Sequence, residues 1–332
     1  MRTYKMSNVG SLDDLKIVEE TVPVPGPGQV LIRVRATALN FRDLALLTAM
    51  MPAPVKPDVV PFSDAAGEVE AVGPGVTRFA PGDRVVSNFF PEWFGGNFDG
   101  AGAAAQYSLN LDGWLTEYKV VSAESVVRAP DGLSFEQAAA LVCSGVTAWT
   151  ALAGVRAGDI VLTQGTGGVS IFAAQIAKAL GARVIATTSS KDKTDRLREL
   201  GVDEVIHYDT DPEWGATARA MTDRGVDRVV DTVGAPTFAQ SLKAVAAGGQ
   251  VSMVGMLGGF EGGIDYMAMF LSHARLQGIT TGSRRDLEDL IRFVERTGMK
   301  PVIDSSFAFD DARAAIEHLG GRQVFGKVVV RH

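Results

Sequence analysis

Apolar and polar residues alternate along "QVLIRVRATALN", residues 29–40. Val30, Ile32, Val34 and Ala36 fall on one side of this stretch, Arg33 and Arg35 on the other. A period of two sends successive side chains to opposite faces, so the pattern predicts a half-buried strand. "AAGEVEAVGPGV", "GDRVVSN", "LTEYKVVS" and "SVVRAP" add short apolar runs closed by Gly, Pro or Asp. Such punctuation predicts a small barrel or sandwich over the first third of the chain. Near Ser134 the pattern lengthens. In "SFEQAAALVCSGVTAWTAL" the spacing of Ser134 and Gln137 predicts a capping box followed by a long helix. Six strand-like runs come next, "DIVLTQ", "ARVIATT", "DEVIHY", "VDRVVDTV", "GQVSMVG" and "LQGITTGS", separated mostly by helical stretches. Apolar strands alternating with helices predict a parallel sheet covered on both faces. The tail, "VIDSSFAFDDARAAIEHLGGRQVFGKVVVRH", reads strand, helix, strand and can complete the N-terminal domain. The fold class is α/β: a β-rich domain plus a doubly wound parallel sheet.

The first of the six strands ends at "GTGGVS". Gly165 permits a tight turn, and Gly167 lets backbone approach a pyrophosphate. The helix that follows, "VSIFAAQIAKALG", aims its positive end at that anion. Ser170 stands where the last glycine of the dinucleotide fingerprint is usual, but the strand–loop–helix context supports the motif. NAD specificity usually needs an acidic residue at the end of the second strand, to bond the ribose 2′-hydroxyl. Here the segment is "ATTSSKDK": Thr187, Thr188, Ser189 and Ser190, then Lys191 and Lys193. Hydroxyls and cations suit a 2′-phosphate, so NADPH is expected ahead of NADH. Asp192 and Asp195 lie nearby, and a solvated lysine pair at a helix start is the alternative reading.

Composition narrows the partners. The chain of 332 residues carries 32 Lys and Arg against 39 Asp and Glu, a net charge of −7. This length favours two domains. The charge disfavours nucleic acid and anionic membrane surfaces. A single cysteine excludes an internal disulfide and suits a cytoplasmic location. The start, "MRTYKMSNVG", lacks the apolar core of a signal peptide, and no apolar run reaches membrane-spanning length. The four histidines form no HExxH pattern, and no GxSxG elbow supports a hydrolase.

"ALNFRDL", "PFSDAAGEVEAVGPGVTRFAPGDRV", "LVCSGVTAWTAL", "VLTQGTGGVS", "VVDTVG" and "FGKVVV", in this order and spacing, resemble the medium-chain dehydrogenase/reductase superfamily over almost the whole chain. The likeness is greatest to its zinc-free, quinone-oxidoreductase-like members. It implies a GroES-like substrate domain over 1–130 and 283–332, a Rossmann domain over 131–282, and a homodimer or dimer of dimers. Zinc-dependent relatives hold the metal at positions that here read Asn40, Ser63 and Cys143. Catalytic zinc takes Cys, His or carboxylate ligands, so no catalytic zinc is expected. A structural zinc lobe of four cysteines cannot form with one cysteine. Cys143 then reads as a small wall residue near the nicotinamide, with an active-site thiol as the alternative.

The resemblance also implies cofactor contacts. Thr147 would touch the carboxamide, and Gly165, Gly167, Gly168 and Val169 the pyrophosphate. Thr188, Ser189, Lys193 and Tyr208 would meet the adenosine phosphate. Val233, Val254 and Met256 would flank ribose and nicotinamide, and Lys327 would be a further pyrophosphate residue. Tyr208 reads equally as an ordinary strand-end aromatic. The aromatic loop 88–114 can line an apolar pocket, cover a partner subunit or simply pack on itself.

The expected function is zinc-independent, NADPH-dependent hydride transfer to a quinone or α,β-unsaturated carbonyl. Zinc-free alcohol oxidation or carbonyl reduction, and a non-catalytic NADPH-binding protein, are the alternatives. Asn40 is the first candidate hydrogen-bond donor and Ser63 the second. Arg42 would add charge if turned inward, or pair with Asp43 at the surface. Asp64 is a candidate base. Asn40 can also be a strand-end amide bonding its own backbone.

Overall fold

The computed structural model describes residues 1–332 except Asp99, Met256, Phe260, Glu261 and Arg322. Its described residues divide into two compact units, 1–146 with 282–332, and 147–281. In chain order the first unit begins with β1 (Arg2–Met6), β2 (Leu15–Glu19), β3 (Gln29–Ala38), α1 (Phe41–Leu47), β4 (Asp64–Val72), β5 (Arg84–Ser87), β6 (Tyr118–Ser122), β7 (Val126–Arg128) and α2 (Phe135–Ala140). α3 (Val146–Ala151) leads into β8 (Ile160–Gln164), α4 (Gly168–Ala179), β9 (Arg183–Thr188), α5 (Asp192–Glu199) and β10 (Glu204–His207). α6 (Trp214–Ala220), β11 (Val226–Asp231), α7 (Ala235–Ala244), β12 (Val245–Met253), α8 (Tyr266–Ser272) and β13 (Arg275–Gly278) complete the second unit. α9 (Arg284–Thr297), β14 (Ile303–Ala308), α10 (Ala312–Gly320) and β15 (Lys327–Arg331) return to the first.

In the first unit the sheet order is β14-β15-β3-β4-β5-β7, with β6 also on β3. β3 is therefore central, and its alternation is incomplete. Val30, Ile32, Val34 and Ala36 are buried as the pattern predicts, but Leu31 and Thr37 on the opposite face are buried too. β3 is paired along its edges with β4, β15 and β6, α2 packs against it, and only Arg33 and Arg35 keep the polar half of the pattern. One core gathers Val30, Ile32, Val34, Val69, Val85 and Trp114. Another gathers Leu39, Leu47, Phe62, Phe309, Ile316 and Val328.

The predicted helix after Ser134 forms, but not in one piece. The capping box is present, with Gln137 N–H donating to Ser134 Oγ at 3.2 Å and Ser134 N–H to Gln137 Oε1 at 3.2 Å. The helix then widens into one π-helical turn over Leu141–Gly145 before α3. α9 packs there. It buries Leu287, Leu290, Ile291 and Val294, one stripe of its surface. A Cβ on Gly145 would lie 3.1 Å from Leu290 Cδ2, so glycine allows this close approach.

The second unit is a six-stranded parallel sheet in the order β10-β9-β8-β11-β12-β13. Strand order reverses between β8 and β11, and ligands of such sheets bind beyond the carboxyl ends of the strands at that reversal. Among the described residues no helix is long and apolar enough to cross a membrane.

Candidate active site

Strand register assembles the polar cluster of the first unit. β15 pairs antiparallel with β3, Val329 opposite Ala38, and β3 pairs with β4, Ala38 opposite Asp64. These two registers bring Lys327, Asn40 and Asp64 to neighbouring strand ends. Gly326 makes the approach of Lys327 possible: its φ is +100° and an added Cβ would lie 2.4 Å from Val302 O. The π-helical turn supplies Cys143 and Ser144 from the other side.

Lys327 is 2% exposed. Its Nζ donates to Leu39 O at 2.6 Å, Asn40 Oδ1 at 2.6 Å and Ser144 Oγ at 3.3 Å. Asp64 Oδ2 lies 3.9 Å away. Ser144 Oγ donates to Asn40 Oδ1 at 3.1 Å, and Asn40 Nδ2 reaches Ser63 Oγ at 3.4 Å. Ser63 Oγ donates to Asp64 Oδ1 at 2.7 Å, and Cys143 N–H donates to Asp64 Oδ2 at 3.0 Å. Asn40 occupies the N-cap of α1, where its backbone N–H donates to Asp43 Oδ2 at 2.8 Å. Its carboxamide oxygen is bonded to Lys327 and Ser144, and its Nδ2 to Asp64, with a long contact to Ser63.

Burial governs the ionisation here. It pushes the Asp43 carboxyl up to about 6, with the Arg42 charge opposing it. It raises the Asp64 carboxyl as well, against the Lys327 charge and hydrogen bonds from Asn40, Ser63 and Cys143 N–H. The Cys143 thiol is pushed up to about 12, first by burial and next by the Asp64 charge, which disfavours a reactive thiolate. Arg42, 17% exposed, bonds to the aromatic loop. Its Nη1 donates to Tyr107 O at 3.2 Å, Nη2 to Gln106 Oε1 at 3.3 Å, and its guanidinium lies over the Phe89 ring at 5.2 Å. Asp43 Oδ1 is 3.8 Å from Nη1. Among the described residues, no three His, Cys, Asp or Glu side chains are grouped to hold a metal.

The second unit gathers the expected cofactor residues at its strand ends. Gly165 follows β8 at φ +73°, with its N–H on Thr187 O at 2.8 Å. Gly167 is the N-cap of α4, which carries no side-chain cap. A Cβ at Gly165 or Gly167 would meet nothing within 4 Å, so this turn is open where a pyrophosphate would lie. Gly168 and Val169 begin the helix. Thr188 closes β9; its Oγ accepts from Ser190 N–H at 3.2 Å, and its carbonyl from Tyr208 N–H at 3.2 Å. Ser189 is exposed, and Lys193 is half-buried on α5. Val233 and Val254 follow β11 and β12, and Thr147 is buried in α3. Met256 lies outside the described residues. These features fit a dinucleotide. Lys327 departs from its pyrophosphate expectation, because its ammonium is bonded within the first unit.

Sequence reasoning missed the groups that brace the strand reversal. Gln164 Oε1 accepts from Thr232 N–H at 3.2 Å and Val233 N–H at 3.4 Å, while its Nε2 donates to Ser241 Oγ at 2.8 Å. Ser170 Oγ donates to Gln164 O at 2.6 Å. Asp231 takes Ser241 Oγ at 2.8 Å and Gly234 N–H at 2.8 Å. The one available signal was a polar residue, Gln164 and Asp231, ending each of two apolar strands. Ser144 gave no signal in sequence.

Comparison with known proteins agrees with this geometry. Residues 26–131 match the alcohol dehydrogenase GroES-like domain, and residues 168–296 match the zinc-binding dehydrogenase family. A zinc-type alcohol dehydrogenase-like protein of Schizosaccharomyces pombe is 36% identical, over 100% of this chain and 99% of its own. The structure of an NAD-dependent alcohol dehydrogenase superposes with a TM-score of 0.91 at 37% identity, covering 100% of both chains. That of a quinone oxidoreductase from Pseudomonas syringae pv. Tomato DC3000 gives 0.83 at 30% identity, covering 100% of this chain and 99% of the other. The chain belongs to the medium-chain dehydrogenase/reductase superfamily and is an NAD(P)-binding oxidoreductase.

Proposed function

We propose that the chain is an NADPH-dependent, zinc-independent oxidoreductase that reduces a quinone or an α,β-unsaturated carbonyl. The observation that carries this reading is the buried ammonium of Lys327, 2.6 Å from Asn40 Oδ1 and 3.9 Å from Asp64. Asn40, Ser63 and Cys143 stand at the positions of zinc ligands in metal-dependent relatives, by resemblance. Neutral Asn and Ser are poor zinc ligands, and a fixed cation among them repels a second one. The donor set therefore does not fit zinc.

Bound reduced nicotinamide supplies a hydride. The residues of the first unit supply the electrostatics at the acceptor oxygen. Reducing a simple ketone concentrates charge on one oxygen, which a metal stabilises as a Lewis acid. A conjugated acceptor spreads the charge into an enolate or hydroquinone anion, a lesser demand that hydrogen-bond donors can meet at about 3 kcal/mol each. Asn40 is the donor, Asp64 and Ser63 hold its surroundings, and Arg42 is spent on the aromatic loop. In the second unit Gly165, Gly167, Gly168 and Val169 hold the pyrophosphate. Thr188, Ser189, Lys193 and Tyr208 surround the 2′-phosphate, which favours NADPH over NADH. The NAD dependence of one relative, the alcohol dehydrogenase at 37% identity, belongs to that protein.

The test is NADPH consumption with quinones, enones and simple ketones, alongside elemental analysis for zinc. Turnover of the conjugated acceptors without stoichiometric zinc is expected, and Asn40→Ala should lower kcat about 100-fold with little change in NADPH affinity. Efficient NADP⁺-dependent oxidation of simple alcohols, with no enone or quinone reduction, overturns the reading. That second reading has one observation in its favour: burial raises the Asp64 carboxyl, as a general base requires.

A second copy of the chain is the partner we infer for the second unit. β13 is the outermost strand, and the neighbouring α8 leaves Tyr266 79% and Leu271 65% exposed. An unpaired edge beside apolar side chains is covered economically by a two-fold-related copy. Sedimentation of a dimer supports this; a monomer at micromolar concentration refutes it.

A further inference from the structure

We propose that Lys327 is a positioning residue for this reaction: its ammonium anchors and polarises the Asn40 carboxamide, leaving the amide N–H as the donor to the oxygen where negative charge builds. The inference rests on the hydride-transfer reading above. Asn40 is bonded unequally at its two ends. Oδ1 accepts from Lys327 Nζ at 2.6 Å and from Ser144 Oγ at 3.1 Å. Nδ2 has a 3.4 Å contact with Ser63 Oγ, at the long end of hydrogen bonding, and its other proton bonds the Asp64 carboxylate. A cation bonded to the amide oxygen draws electron density from the nitrogen, which makes its N–H groups stronger donors.

Proton counting removes the competing donors. Ser63 spends its one hydroxyl proton on Asp64 Oδ1 at 2.7 Å. Ser144 spends its own on Asn40 Oδ1. Lys327 directs its three protons to Leu39 O, Asn40 Oδ1 and Ser144 Oγ. The ammonium therefore acts through Asn40; one Nδ2 proton bonds the Asp64 carboxylate, and the other, held only by the long contact with Ser63 Oγ, is the one able to turn to a ligand. The Lys327 charge also faces Asp64 at 3.9 Å, which offsets the repulsion that carboxylate would exert on an oxyanion.

Two measurements test this. In steady-state kinetics, Lys327→Met should lower kcat with enones or quinones about 30-fold and leave the NADPH Kd within about twofold. The same substitution in an Asn40→Ala background should change kcat less than about threefold. Equal losses in both backgrounds overturn the proposal. The second measurement needs no turnover. Cys143 is the chain's one cysteine, and the Lys327 charge favours its thiolate while the Asp64 charge opposes it. Alkylation of the apoprotein by iodoacetamide should be slower in Lys327→Met, faster in Asp64→Asn and near wild type in Lys327→Arg. Faster alkylation in Lys327→Met would mean a merely structural lysine whose loss loosens the site. If Lys327→Met does not fold, Ser144→Ala removes the other bond to Asn40 Oδ1. A severalfold fall in kcat, absent when Asn40 is Ala, supports the proposal; an equal fall in both backgrounds, or none, overturns it. If the wild-type protein reduces no enone or quinone, the reaction reading fails by itself, and the alkylation order still decides whether the ammonium sets the charge at Cys143.

Discussion

The turn after β8 and the cluster around Lys327 both present hydrogen-bond donors, by opposite means. The turn is continuous in sequence and works through backbone. Gly165 and Gly167 keep side chains away from it, and the uncapped start of α4 presents N–H groups. The cluster is discontinuous and works through side chains. Its two shortest bonds, both 2.6 Å, join Lys327 to residues 287 and 288 positions away in sequence. A Cβ at Gly165 or Gly167 would meet nothing within 4 Å. The cluster depends on two strand registers and on one glycine that lets them meet.

Two glycine substitutions separate these designs most sharply. Gly326→Ala places a Cβ 2.4 Å from Val302 O at a φ of +100°. It should cost about 3 kcal/mol of stability in denaturant unfolding, through backbone strain and clash. Gly167→Ala, at φ −72° with open space around it, should leave stability within about 0.5 kcal/mol. It should instead weaken NADPH binding about tenfold, close to 1.4 kcal/mol, because the methyl group fills the pyrophosphate's space. Comparable destabilisation by both substitutions would erase the contrast between the regions.

A charge reversal sharpens the cofactor side. Lys193→Glu should raise the Kd for NADPH about 10- to 100-fold, the loss of a charge-assisted bond of about 1.5–3 kcal/mol. Affinity for NADH, which lacks the 2′-phosphate, should hardly move. Parallel weakening of both cofactors, measured by fluorescence titration, would assign Lys193 to helix α5 alone.

A further prediction concerns the edge of the cluster. Asp43 has a folded-state pKa of about 6 against an ordinary 3.8, because its carboxyl is buried. Between those values the folded protein binds more protons than the unfolded one, so the contribution to stability falls as pH rises from about 4 to about 6. Above pH 6 the ionised group costs at most about 3 kcal/mol, two units at 1.36 kcal/mol each. Asp43→Asn removes this titration and keeps an oxygen for the Asn40 N–H. Its stability relative to wild type should therefore rise by about 2 kcal/mol between pH 4.5 and pH 7.5. A difference independent of pH in urea unfolding would show that Asp43 titrates normally.

Particular residues show how far the sequence could be read. The alternation through β3 was legible, but Leu31 escaped it, being buried on the face expected to be polar, because burial there depends on elements packed from elsewhere in the chain. The capping box at Ser134 was legible, but the π-helical turn at Leu141–Gly145 was not. Nothing local distinguishes that turn; the packing of Leu290 against Gly145 accompanies it. Asn40, Ser63 and Asp64 could be singled out by resemblance, and all three belong to the cluster. Arg42 could be singled out too, but its direction depended on the carbonyl of Tyr107 and the amide of Gln106 far along the chain. Lys327 read as a pyrophosphate contact, whereas its ammonium is bonded beside Asn40.

What the sequence determined by itself is the part written in local backbone preference and periodicity. Period-two runs, helix caps and the glycines of "GTGGVS" predicted the strands, the α/β class and a glycine turn between β8 and α4, because each depends on residues within a few positions. Tertiary structure decided the charge balance of the other site. Strand pairing placed Lys327 opposite Asn40 and Asp64 opposite Ala38, and burial then raised the Asp43, Asp64 and Cys143 pKa values. Electrostatic interaction depends on distance and solvent exposure, and neither is fixed until distant segments of the chain have packed.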